Sequence, residues 1–123
     1  MAKILVIDDD VFFNDALKQY LEYVGHNVVC AFEGKQGLSL LEQVKPDLVI
    51  TDIVMPSVDG LEFLINIRNT IVLSPCRVIA ISGGGRIGGA NYLEMATALG
   101  ADDALEKPFG MEKLQKSIET LLS

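Results

Sequence analysis

Cysteine is scarce. Cys30 and Cys76 are the only two among 123 residues, and they form no Cys-x-x-Cys pair. A disulfide-framed secreted fold is not expected. Two reduced, buried thiols fit better, with a disulfide or a metal pair as the lesser alternatives. Long apolar runs are also missing: none approaches the roughly 20 residues of a membrane-spanning helix. Basic residues are few, 10 Lys and Arg against 17 Asp and Glu, giving a formal net charge of -7. Binding to DNA or RNA relies on Lys and Arg neutralising phosphates, so direct contact with nucleic acid is not expected. The N-terminus carries one lysine and then meets three consecutive acids, unlike a secretory signal. No Gly-Lys-Ser/Thr follows the glycine-rich stretch, which excludes a phosphate-cradling P-loop. Together these features favour the cytoplasm. The length suits one domain with one core, 1–123, and half of the residues are hydrophobic.

What is present is an alternation. Residues 3–8 form an Ile- and Val-rich run ending in Asp8, and Asp9 follows it. Asp10 is a candidate N-cap. Phe13, Leu17, Tyr20, Leu21 and Val24 follow at helical spacing, and Gly25 can end that helix. Residues 27–32 read as a second strand; Leu38, Leu41 and Val44 mark a helix that Pro46 stops. Residues 48–52 are an apolar run ending on a carboxylate, Asp52, and Met55-Pro56 closes the strand region. Leu61, Leu64, Ile65 and Arg68 define the expected face of a third helix, broken at Ser74-Pro75. A strand over 77–82 ends in Ser82. A helix follows with Tyr92, Leu93, Ala96 and Leu99 expected inward and Gly100 as its stop. A short strand over 104–107 ends in Lys107, and Met111, Leu114, Ile118, Leu121 and Leu122 form the last stripe. Since the chain ends with that helix, no output domain is expected.

Near-continuous apolar strands alternating with helices imply a parallel α/β sheet covered on both faces. Its strand carboxyl ends share one edge, where open sheets of this kind bind ligands. Asp8, Asp9, Asp52, Ser82 and Lys107 all fall there. Strand two ends near Glu33, which has no clear role. Two like charges about 4 Å apart repel by roughly 4 kcal/mol at an effective dielectric near 20. One lysine cannot balance three carboxylates, but a divalent ion with oxygen ligands can. A carboxylate so placed can attack a phosphoryl group, forming an aspartyl phosphate. Lys107 would meet one phosphoryl oxygen and the Ser82 hydroxyl another. Each residue also has a bland reading, as a turn residue, a cap or a solvated strand end. Their coincidence at one edge is what favours a site.

The set Asp8-Asp9, Asp52-x-x-Met55-Pro56-x-x-Asp59-Gly60, Ser82 and Lys107-Pro108-Phe109 resembles the receiver domain of two-component response regulators, the CheY-like family, over essentially the whole chain. The resemblance implies a flavodoxin-like (βα)5 sheet with strand order 2-1-3-4-5. It implies Mg²⁺, or Mn²⁺ in its place, held by Asp9, Asp52 and the backbone carbonyl of Val54, with Asp8 acting through water. It implies Asp52 as phosphoacceptor for a sensor histidine kinase or a histidine phosphotransfer protein, Lys107 as the phosphoryl partner and Ser82 as the hydroxyl switch. The Lys107-Pro108 bond is expected to be cis. A stand-alone signalling module is implied rather than a true enzyme. It would phosphorylate and dephosphorylate itself in a Mg²⁺-dependent way, and dock a downstream protein on the face of helix four, strand five and helix five.

Several positions depart from the pattern. Ala104 stands where the family usually has an aromatic, which leaves open a pseudo-receiver that is never phosphorylated. Gly83-Gly84-Gly85-Arg86-Ile87-Gly88-Gly89 is unusually glycine-rich and is expected to move in place of that aromatic. It contains a formal Gly-x-Gly-x-x-Gly with Glu106 downstream, but at strand four, where a dinucleotide site is not expected. Val54 and Gly84 offer nothing to orient a hydrolytic water, so a long-lived phosphorylated state is expected. His26 reads as a turn residue. A small phosphatase or mutase would need a cap and a second acid that the chain does not supply.

Overall fold

The computed structural model describes residues 2–55, 58–70, 76–83 and 89–123, with the backbone alone at 54–55, 58–61 and 89–93. Five parallel strands form the central sheet: β1 (Lys3–Ile7), β2 (Asn27–Ala31), β3 (Leu48–Asp52), β4 (Arg77–Gly83) and β5 (Asp103–Lys107). Their order is 2-1-3-4-5, the flavodoxin-like arrangement. Register is continuous across the middle: Ile7 pairs with Thr51, Asp52 with Ile81 and Gly83 with Lys107. Val54–Met55 and Val58–Asp59 form a separate two-strand ladder just past β3.

The helices are α1 (Val11–Tyr23), α2 (Gly34–Val44), α3 (Gly60–Thr70), α4 (Gly89–Ala98) and α5 (Met111–Leu122). Alternate strand residues face opposite layers. Leu5, Ile7, Val49, Val78 and Ala80 pack with α2, α3 and α4 through Leu41, Phe63, Leu64, Ile67 and Ala96. Ile4, Val6, Leu48, Ile50, Ile79 and Ile81 pack with α1 and α5 through Leu17, Leu21, Leu114 and Ile118. The helices thus cover both faces, as the strand composition requires.

The caps follow from local chemistry. The Asp10 side chain accepts the Phe13 N–H at 3.1 Å, closing the start of α1. Gly25 beyond α1 has φ of 105°, open to glycine without steric cost. At the end of α2, Lys45 rather than a glycine takes the left-handed turn, with φ of 52°, and Pro46 follows it. The Lys107-Pro108 bond is cis. Both cysteines are free, Cys76 buried and Cys30 half-buried.

Some boundaries and faces differ from expectation. β1 and β2 stop one residue early, β4 runs on to Gly83, and β5 starts at Asp103. On α3, Phe63, Leu64 and Ile67 form the buried face, while Ile65 is 40% exposed. Phe63, Leu64, Ile65 and Ile67 spread over a wide apolar arc beside the polar positions Glu62, Asn66 and Asn69, and contact with α2 and α4 decides which part of that arc is buried. Leu99 is 36% exposed because α4 ends at Ala98 and Leu99 starts the turn to Gly100. Arg68 is half-buried, donating to Gly100 O at 2.5 Å and pairing with Asp102 at 2.6 Å. The residues 84–88 of the glycine-rich stretch, and Ser74-Pro75, lie outside the described residues.

Gly37 sets how closely α2 approaches the strand that delivers the first acids. A Cβ there would stand 2.6 Å from Ile7 Cδ1 and 2.9 Å from Ile7 Cγ1. Ile7 is fully buried, so its side chain or α2 must shift within the packed core. Gly37→Ala is expected to lower stability by a net of about 1–2 kcal/mol, overpacking outweighing alanine's better helix propensity. Chemical denaturation measures it.

Candidate functional site

Parallel strands deliver their carboxyl ends to one edge, and the chain places acids and an amine there. Asp8 follows β1 directly and is buried, 1% exposed. Its Oδ1 accepts the Asp10 N–H at 2.9 Å and its Oδ2 accepts the Lys107 Nζ at 2.8 Å. Asp52 ends β3 and is also buried; Lys107 Nζ reaches its Oδ2 at 3.3 Å. Asp9 is exposed at the rim. Asp8, Asp9 and Asp52 each bring a carboxylate oxygen within 4.8 Å of the others. Ions of the Mg²⁺ kind hold oxygen ligands at about 2.1 Å, so small side-chain rotations bring all three within reach of one ion. The donor set is all oxygen and strongly anionic, which fits a hard divalent cation.

Ser82 lies one residue past Ile81, the strand partner of Asp52. Its hydroxyl is fully buried and has no hydrogen-bond partner among the described residues. An unsatisfied buried hydroxyl is costly, and such a group is commonly kept for a ligand or a catalytic role. Val54 sits two residues past Asp52 in the short ladder, paired with Asp59. Ala104 is half-buried against the α2–α3–α4 layer, opposite Ala80 of β4. Asp10 stays with the helix cap and the Asp8 side chain.

The charges perturb one another. Burial raises the Asp8 carboxyl to about 6 and the Asp52 charge adds to this, against the hydrogen bonds from Lys107 and the Asp10 N–H. Lys107 is raised: burial alone would lower it, but Asp8 and Asp52 together outweigh burial. The ammonium therefore stays charged and lies between two carboxylates.

Two supporting residues were not evident in the sequence. Asn14 is fully buried, and its Nδ2 donates to Asp8 O at 3.1 Å and Ala31 O at 2.9 Å. It ties the ends of β1 and β2 together below the acids. Its signal was a polar residue in the Leu17–Leu21 stripe at i−3 and i−7. Thr51 is buried and donates to Asp52 O at 3.0 Å. His26 is a turn residue far from the site, accepting the Ala2 N–H at 3.2 Å.

The sequence matches the response regulator receiver domain over residues 4–119. The chain belongs to the response regulator receiver family. It is 35% identical to Response regulator MprA of Mycolicibacterium vanbaalenii, over 98% of this chain and 50% of the relative. It is 32% identical to Transcriptional regulatory protein CrdR of Helicobacter pylori, over 95% of this chain and 53% of the relative. The receiver therefore spans about half the length of these curated relatives. Among solved structures, a response regulator receiver domain protein from Clostridium thermocellum superposes with a TM-score of 0.85 at 31% identity, covering 98% of this chain and 94% of that one. A two-component response regulator from Clostridium difficile gives a TM-score of 0.87 at 27% identity, covering 99% and 96%. Receiver domains are signalling domains rather than enzymes. In general they bind Mg²⁺ and accept phosphoryl groups from histidine kinases, and this receiver's acid cluster could hold such a metal. Among the described residues no helix is long and apolar enough to cross a membrane.

The Asp8 shift gives a sign. An acid bound more tightly to its proton in the folded state makes stability fall as pH rises between its two pKa values. For Asp8 that window runs from 3.8 to about 6. In metal-free buffer the receiver is expected to lose stability across that range, by at most roughly 3 kcal/mol. Asp8→Asn is expected to remove that slope. Denaturation at pH 4, 5 and 7 for both proteins tests this.

Proposed function

We propose that this receiver takes a phosphoryl group on Asp52 from a sensor histidine kinase or a histidine phosphotransfer protein, and signals by changing which protein it binds. The observation that carries the reading is the Lys107 ammonium at 2.8 Å from Asp8 and 3.3 Å from Asp52, beside three carboxylates that converge within 4.8 Å. An Asp52 oxygen attacks phosphorus, the phosphorus–nitrogen bond of the donor breaks, and the imidazole leaves to take up a proton. Lys107 turns from Asp52 toward a phosphoryl oxygen, and the buried Ser82 hydroxyl, which no described residue satisfies, donates to another. Asp8, Asp9, Asp52 and the Val54 carbonyl would hold the divalent ion, Mg²⁺ in the first instance. When bound, the ion neutralises carboxylate and phosphoryl charge, and positioning and charge stabilisation are most of what phosphoryl transfer needs.

In this reading the 1–123 domain works as one signalling unit in the cytoplasm. Its downstream partner docks on α4, β5 and α5, where Met95 is 50% exposed beside the Ala104 strand. Ala104 favours one rival reading, a binding module that is never phosphorylated, because a methyl group cannot swing as an aromatic ring does.

Incubation with acetyl phosphate and Mg²⁺, followed by intact mass measurement, separates the two. One added phosphoryl group is expected, lost with a chelator and absent in Asp52→Asn. An unchanged mass in the native receiver, under conditions where a control receiver is labelled, supports the rival. Because Val54 offers no polar group to orient water, the phosphorylated state is expected to decay slowly, and Val54→Asn to shorten its half-life several-fold. Decay of radiolabelled phosphate measures that change.

A further inference from the structure

Lys107 has a third neighbour that the site chemistry leaves out. Its Nζ lies 4.0 Å from the centroid of the Phe13 ring, over the ring face. An ammonium has three N–H donors and no acceptor. Asp8 and Asp52 satisfy two directions, and the aromatic face lies in reach of the remaining charge. The negative face of an aromatic ring attracts a cation without offering a lone pair.

Phe13 is itself held from two sides. Its backbone N–H is bound by Asp10, whose own N–H is bound by Asp8. Asp8 binds Lys107, so the contacts close into a ring: Asp8, Asp10, Phe13, Lys107 and Asp8 again. Phe109, two residues past the lysine, meets the Phe13 ring edge-on, with centroids 5.9 Å apart and planes at 83°. Both rings are half-buried against the α1–α5 core.

We propose that Phe13 is a positioning residue for Lys107, its ring face holding the ammonium between Asp8 and Asp52 where an incoming phosphoryl group will need it. The proposal rests on the assignment of Asp52 and Lys107 above. A lysine has four rotatable side-chain bonds, and a carboxylate alone fixes only its tip. The ring keeps water from the ammonium on one side. It also leaves the ammonium free to slide toward phosphate, which a third carboxylate would not.

The test replaces Phe13 by mono-, di- and trifluorinated phenylalanine, which keep the shape but progressively drain the ring face of negative charge. Phe13→Tyr and Phe13→Leu complete the series. Asp52 phosphorylation by acetyl phosphate is expected to slow stepwise with fluorine count, by about 3–10-fold at the trifluoro ring and in Phe13→Leu. Phe13→Tyr should stay within about twofold of the native rate. In the resting protein, the Lys107 Cε protons should show an upfield ring-current shift that Phe13→Leu abolishes. Equal rates across the fluorinated series in a receiver that is phosphorylated on Asp52 overturn the proposal and leave the Asp52 assignment standing. A native receiver that takes no phosphoryl group while showing the ring-current shift overturns the Asp52 assignment, and with it the role proposed for Phe13.

Discussion

The Lys107 ammonium shared between Asp8 and Asp52 is the contact on which the arrangement of the carboxyl edge depends. Two buried carboxylates this close repel each other, and removing either from water is costly. Without a cation between them, one would have to take up a proton or move to solvent. Lys107 comes from the far end of the chain and closes the distance across three strands. The fold brings it there through register alone: β5 pairs with β4, β4 with β3, and β3 with β1.

Around that contact the structure spends polar groups sparingly. Asn14 bonds to the backbone ends of β1 and β2, and Thr51 to the carbonyl of the acid that follows it. Asp10 caps α1 and at the same time steadies Asp8 with its own N–H. Ser82 is buried with a hydroxyl that no described residue satisfies, and the side-chain oxygens of Asn14 and Gln115 likewise have no described partner. The Ser82 hydroxyl stands at the carboxyl edge, one residue past the strand partner of Asp52. The three acids of the cluster outnumber the one ammonium paired with them among the described residues, so their excess negative charge calls for a further cation.

Much of this was legible along the chain. The five strand-and-helix rounds, the Asp10 cap, the Gly25 stop and the free cysteines all follow from local composition, because caps, turns and apolar runs act over a few residues. The edge residues were legible too, since each ends an apolar run, and a parallel sheet gathers such ends by topology. The face of α3 was not: Phe63, Leu64, Ile65 and Ile67 are all apolar, and only the neighbours α2 and α4 exclude Ile65 from the core. Phe13 read as an ordinary stripe position and Asn14 drew no reading at all, because nothing local reveals what a side chain will meet from the other end of the chain.

The sequence by itself thus determined the element types, their order and the residues that could stand at the carboxyl edge, because those depend on short-range periodicity and steric limits. Tertiary structure alone decided that Asp8 is buried enough to be raised, that Lys107 lies between two particular acids and that a phenyl ring faces its ammonium. Those are distances between residues up to 99 positions apart. They are fixed by strand register and helix packing, which no local pattern encodes.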